Sequence, residues 1–137
     1  MNTEKELILS GADGSLSFGD HTLAAKAKKE DFPHKGDLYK VKTYNEITKL
    51  ERNGIFVYES VPGTSVRNFR ETEDGVVFEA EGNDDAQITL GLADDTEYEV
   101  TVNGENAGKM KTNLGGKLSV SVELSGAGTV KVEVKKA

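Results

Sequence analysis

The sequence predicts an all-β protein, an antiparallel β-sandwich or jelly-roll-like fold of about ten short strands. Three observations lead there. Apolar and polar residues alternate with a period of two over most of the chain from residue 75 onward, which puts one set of side chains on each face of a strand. Asn-Gly pairs, the residue types that tolerate the left-handed backbone of tight hairpins, separate strand-like runs at Asn53-Gly54 and Asn103-Gly104. Only residues 20–30 have the composition of a helix.

Taken in chain order, Glu6 to Ser10 and Ser15 to Phe18 are short strand candidates around Gly11-Ala-Asp-Gly14. Next comes the ambiguous segment. Asp20 is an acceptable N-cap and Leu23 to Lys29 contains good helix formers, but the apolar face is thin, so it reads either as a short helix or as an irregular basic arm. Leu38 to Tyr44 is a strand, Ile47 to Arg52 and Ile55 to Ser60 form a hairpin about Asn53-Gly54, and Val61-Pro-Gly-Thr64 is a turn. Behind Asp74-Gly75, Val76, Phe78 and Ala80 alternate with Val77, Glu79 and Glu81, and Ile88, Leu90 and Leu92 alternate with Gln87, Thr89 and Gly91. Tyr98, Val100 and Val102 form one face of the next strand, with Asn106 to Thr112 returning antiparallel. Leu118 to Leu124 and Val130 to Val134 complete the series, and the small residues Ser125 to Gly128 read as a hairpin loop between them.

At 137 residues the chain fits one domain, with Val61 to Thr64 the best candidate for a subdomain junction. No repeat of fixed period and no low-complexity tract is present. The first ten residues contain only a three-residue apolar run, unlike a secretory signal, and no segment approaches the ~20 apolar residues of a membrane helix. The cytoplasm is the expected location, although a mature secreted chain would read the same way.

Composition narrows the chemistry. There is no Cys, which removes disulfides, thiolate metal sites and cysteine nucleophiles, and the only imidazoles are His21 and His34. The net charge of −7 disfavours nucleic acid or an anionic membrane as partner. That charge is unevenly placed: residues 1–70 carry +1 and residues 71–137 carry −8. From Glu71 through Glu105 there are twelve carboxylates and no Lys or Arg. Glu79, Glu81, Glu97 and Glu99 fall on out-facing strand positions, where such charges keep a strand edge from pairing with another chain. Lys40, Lys42, Lys109, Lys111 and Lys117 are candidates for an opposing basic face. Faces of opposite sign favour association between copies.

Candidate sites are few. Asp84 and Asp85, with Asp94 and Asp95, lie in oxygen-rich loops at strand ends, the hard donors that Ca²⁺ takes, although their spacing matches no EF-hand and solvated turn residues that cap strands are the plainer reading. Carbohydrate binding needs an aromatic platform. There is no Trp; Tyr39, Tyr58 and Tyr98 share strand faces with apolar residues, so Tyr44 is the freest aromatic, and a sugar site would combine it with Arg67 or Arg70. No phosphate loop, dinucleotide-binding glycine pattern or zinc-protease helix is present, and both histidines lie in polar, turn-like surroundings, unlike the imidazole of a Ser-His-Asp hydrolase.

The stretches Gly36 to Thr43, Ile47 to Gly54, Phe56 to Thr64, Ala86 to Leu90 and Gly108 to Leu114 resemble a family of short bacterial proteins, from anaerobic gut-type Gram-positives, whose members often carry the label endosialidase. The resemblance spans nearly the whole chain. It implies hydrolysis of sialic-acid glycans. Sialidases of known mechanism hold the sugar carboxylate with three arginines in a propeller several times longer than this chain. The three arginines here are Arg52, Arg67 and Arg70, with no blade repeat around them, and the family brings no catalytic residues onto the sequence. The reading is therefore a non-enzymatic structural or interaction module that self-associates, without cofactor. A carbohydrate-binding module stabilised by Ca²⁺ is the alternative, and a sialic-acid hydrolase the third.

Overall fold

A computed structural model describes residues 7–11 and 13–137. These form thirteen strands and no helix: β1 (Ile8–Ser10), β2 (Leu16–Phe18), β3 (Ala27–His34), β4 (Asp37–Tyr44), β5 (Ile47–Arg52), β6 (Ile55–Val61), β7 (Ser65–Glu71), β8 (Gly75–Glu81), β9 (Ala86–Gly91), β10 (Glu97–Val102), β11 (Glu105–Lys111), β12 (Lys117–Val122) and β13 (Val130–Lys136). They pair antiparallel into a seven-stranded sheet, β1-β2-β7-β8-β13-β10-β11, and a six-stranded sheet, β12-β9-β6-β5-β4-β3. The all-β expectation holds, with more strands than the ten expected. Glu6, the start of the first strand candidate, and Ala12 in the turn after it lie outside the described residues.

The alternation becomes a single core between the sheets. Leu118, Val120 and Val122 of β12, Ile88 and Leu90 of β9, and Val130, Val132 and Val134 of β13 are all buried. Each such side chain contributes roughly 1.5–3 kcal/mol relative to exposure. At the centre four aromatic rings meet edge to face or tilted: Phe18 lies 5.1 Å from Tyr58, and Phe78 lies 5.6 Å from Tyr58 and 5.7 Å from Phe69.

Both Asn-Gly hairpins form as expected, with Asn53, Gly54, Asn103 and Gly104 all at positive φ. Three expectations change. Residues 20–30 are neither helix nor irregular arm throughout: a turn and bends lead into β3, which pairs with β4 at the edge of its sheet. A thin apolar face gives a helix nothing to bury, whereas an edge strand needs only one partner. Pro33 is tolerated there for the same reason. Ser125 to Gly128 is not a hairpin loop, because β12 pairs with β9 in one sheet while β13 inserts between β8 and β10 in the other. The Leu124 and Ser125 amides both donate to Asp85 Oδ1, at 3.0 and 3.1 Å, which turns the chain across the sandwich. Finally, Phe56 does not share a face with Tyr58. Val57 is the extra residue of a bulge, so Phe56 pairs with Glu51 and carries Lys117 Nζ 4.6 Å from its ring centroid. Val61 to Thr64 is a crossing from one sheet to the other above the shared core.

The acidic run does not become an acidic face. Glu79 on β8 stands between Arg67 on β7 and Lys131 on β13, and Glu99 on β10 stands between Lys135 on β13 and Lys109 on β11. Strands remote in sequence bring the bases that the run itself lacks. Nor do the lysines share one face: Lys40 and Lys42 lie on β4 of one sheet, Lys109 and Lys111 on β11 of the other.

Candidate functional site: a polar cleft at one end of the sandwich

The sequence-predicted site residues do not come together. Tyr39, Val41 and Thr43 point into the core, so Tyr44 lies on the outer face of the six-stranded sheet. Arg67 and Arg70 lie on the outer face of the seven-stranded sheet, opposite Glu79 and Val77, with a bulge between them. Two sheets about 10 Å apart separate these side chains. Tyr44 donates to Glu46 Oε1 at 3.3 Å, and partial burial together with that carboxylate raises its hydroxyl above the usual pKa. Arg67 Nη2 is 3.1 Å from Glu81 Oε1. Arg52 pairs with Glu71 across the edge of the sandwich, so the three arginines do not converge.

Asp84 and Asp85 precede β9, and Asp94 and Asp95 follow it. The length of that strand keeps the two pairs on the order of 20 Å apart. Asp85 caps the Leu124 and Ser125 amides, and Asp95 pairs with Lys111 at 3.2 Å. Among the described residues no three His, Cys, Asp or Glu side chains cluster as metal ligands. Also among them, no helix is long and apolar enough to cross a membrane.

The principal concavity lies elsewhere. The β4–β5 turn, the β6–β7 crossing, the β8–β9 turn and the segment after β2 meet at one end and enclose a cleft of about 600 Å³. It is lined by His21, Asn45, Glu46, Val61, Pro62, Gly63, Asn83 and Asp84. The Val61-Pro62 peptide is cis. Gly63 is the one residue that fits its place, since a Cβ there would lie 2.0 Å from the Tyr44 carbonyl oxygen. Its amide donates to the Asn45 carbonyl at 3.1 Å, fastening two walls together.

Beneath the cleft runs a buried hydroxyl network. Thr64 Oγ1 meets Tyr58 Oη at 2.7 Å and Ser60 Oγ at 2.8 Å. Thr48 Oγ1 donates to the Thr64 carbonyl at 2.8 Å, accepts from the Thr64 amide at 3.0 Å and meets Thr43 Oγ1 at 2.8 Å. The Asp20 amide donates to Thr43 Oγ1 at 2.9 Å. Burial drives the Tyr58 hydroxyl well above its ordinary pKa, only partly offset by its bonds to Thr64 and Ser60. The hydroxyls of this layer thus satisfy one another.

Both histidines are about nine-tenths buried, not in open turns. His34 Nδ1 meets Ser10 Oγ at 2.8 Å, joining the edge strands β3 and β1. His21 Nδ1 meets Ser65 Oγ at 2.7 Å, while the His21 amide donates to the same oxygen at 3.2 Å. Sequence reasoning missed this pairing because 44 residues separate the partners and nothing local marks it. Compared with protein-family models, curated proteins and solved structures, the chain matches none.

Proposed function

We propose that the protein is a non-enzymatic interaction module that associates with a second copy of itself through the open end of the sandwich, where β11 and β12 lie. The observation that carries this reading is the contrast among the four sheet edges. β3 is bulged, contains Pro33 and carries Lys28, Lys29, Glu30 and Asp31; β1 is three residues long and bonded to β3; β11 is bulged and carries Lys109 and Lys111. These are the devices that keep an edge from pairing. β12 is the least protected: six residues in unbroken register with β9, with a single charge at its start, Lys117, whose Nζ lies over the Phe56 ring, and with Ser119 and Ser121 small and neutral on its outer face.

Its free backbone groups follow from hydrogen-bond parity. The Leu92 amide donates to the Gly116 carbonyl at 2.7 Å, so by antiparallel alternation Leu118 and Val120 turn their amides to β9, and Ser119 and Ser121 turn theirs outward. β1 and β3 close one end of the sandwich, and β12 is the edge strand of its sheet at the other. A copy turned about a two-fold axis perpendicular to the sheet lays its own β12 antiparallel beside this one, so that Ser119 and Ser121 of each copy turn their outward amides to the other. Such an interface is isologous and closes at the dimer.

Light scattering at micromolar concentration and low salt is expected to give twice the 14.8 kDa chain mass. Ser121→Pro removes one outward amide and no bond to β9, so it is expected to give a folded monomer by circular dichroism and light scattering. A monomeric wild type, or a Ser121→Pro variant that remains dimeric, sinks the proposal.

A further inference from the structure

We infer that the cleft formed by the β4–β5, β6–β7 and β8–β9 connections is a binding site for a small polyhydroxylated ligand bearing a protonated amino group, the amino-sugar class. This is a separate property from self-association, since the cleft is built from other connections than the β11 and β12 edges.

The chemistry of the walls selects that class. Glu46 and Asp84 are exposed carboxylates that line the cleft from opposite connections, and no cationic side chain lines it with them. They accept hydrogen bonds and favour a cation. Asn45 and Asn83 each add an amide that both donates and accepts, and Val61 and Pro62 add an apolar wall for a C–H face.

His21 is the second, independent sign of a ligand. Its ring is about nine-tenths buried, and among the described residues its Nδ1 has a partner while its Nε2 has none. Ser65 Oγ accepts from the His21 amide and holds Nδ1 at 2.7 Å, which fixes the ring and leaves Nε2 as the nitrogen open to a ligand. A buried ring nitrogen without a partner is costly, and His21 lines the cleft. The site therefore offers one fixed imidazole nitrogen and two carboxylate acceptors. Anionic sugars meet two negative charges and no arginine. Arg67 and Arg70 lie on the outer face of a sheet, away from these walls. Sialic acid is thus the wrong charge for this cleft.

The test is nuclear magnetic resonance titration of the isotope-labelled full chain with three probes: glucosamine, glucose and N-acetylneuraminic acid. Glucosamine is expected to shift the His21 side-chain nitrogens and the amides of Asn45, Glu46, Asn83 and Asp84, with an affinity up to roughly fivefold above that of glucose, the scale of an exposed ion pair. N-acetylneuraminic acid is expected to leave these signals in place. A Glu46→Gln, Asp84→Asn double variant alters only exposed side chains and is expected to bring glucosamine down to the glucose affinity while the remaining spectrum is retained. Absence of shifts with glucosamine, equal affinity for glucose, binding of N-acetylneuraminic acid at the same residues, or an unchanged preference in the double variant each overturns the assignment. Ser121→Pro serves as the control: it is expected to bind glucosamine like the wild type, so loss of dimerisation and loss of the cleft read out separately.

Discussion

The core has two regions held by different forces. Under β8, β13, β9 and β12 it is purely apolar: Phe78, Val132, Ile88, Leu118 and Val120 interlock with no polar atom among them. Under the β4–β5 and β6–β7 connections it is braced by hydroxyls, with Thr43, Thr48, Tyr58, Ser60 and Thr64 all fully buried and linked to one another. The apolar half tolerates changes in shape as long as volume is kept. The braced half fixes direction, since every hydroxyl must find a partner. That half lies below the cleft. Apolar packing supplies stability, while directional bonding supplies a fixed floor for a site.

Substitutions should separate the two. Phe78→Ala opens a cavity in the aromatic cluster and should cost about 3–5 kcal/mol in denaturant unfolding; a loss under about 1 kcal/mol would mean that the rings do not carry the core. Thr64→Val is nearly isosteric yet strips the shared partner from Tyr58 and Ser60, and should cost about 1–3 kcal/mol with cleft amides perturbed in the spectrum. A neutral result would place the hydroxyls on the same footing as apolar packing. Gly63→Ala drives a methyl into the Tyr44 carbonyl and should destabilise by more than ~1 kcal/mol, with shifts at Asn45 and Val61. The smallest effect is expected far from both regions: Arg52→Ala loses a partly exposed pair with Glu71 and should cost about 0.2–1 kcal/mol.

Alkali offers a further contrast. The folded Tyr58 hydroxyl ionises well above the unfolded one, so the folded state holds its proton where the unfolded state releases it. Stability from this group is complete below the ordinary tyrosine pKa of ~10 and declines as pH rises above it. Absorbance titration should show one tyrosine that ionises only with unfolding, and Tyr58→Phe should remove that alkaline decline. A Tyr58 that titrates in the folded protein would mean that the braced region is open to water.

Much of the fold was legible in the sequence because it depends on local signals. Alternation in β8 to β10 and in β12 and β13 fixed which side chains are buried, and two Asn-Gly pairs fixed two hairpins. What failed was partner choice. Ser125 to Gly128 has hairpin composition, yet whether a turn joins neighbours or changes sheets depends on a distant carboxylate, Asp85. The Lys-rich segment around residue 28 became a strand because an edge of β4 was available. The site was less legible still. Tyr44 and the arginines were separated by strand parity and sheet membership, and the two aspartate pairs by the length of β9. His21 and Ser65 meet only once the chain has crossed the sandwich.

The place of β13 bears on how the chain acquires this shape. It is the last strand in chain order, yet it lies inside the seven-stranded sheet, paired with β8 on one side and β10 on the other. During synthesis β8 and β10 are made well before it and cannot bond to each other across its place. While the ribosome still holds residues 130–136, both strands present raw edges and Phe78 and Val100 lack one wall of their enclosure. The sheet closes in a late insertion that pairs β13 with β8, a strand far back in the sequence, the kind of non-local step that slows folding. A nascent chain stalled before Val130 is therefore the species most exposed to aggregation or to capture by a chaperone.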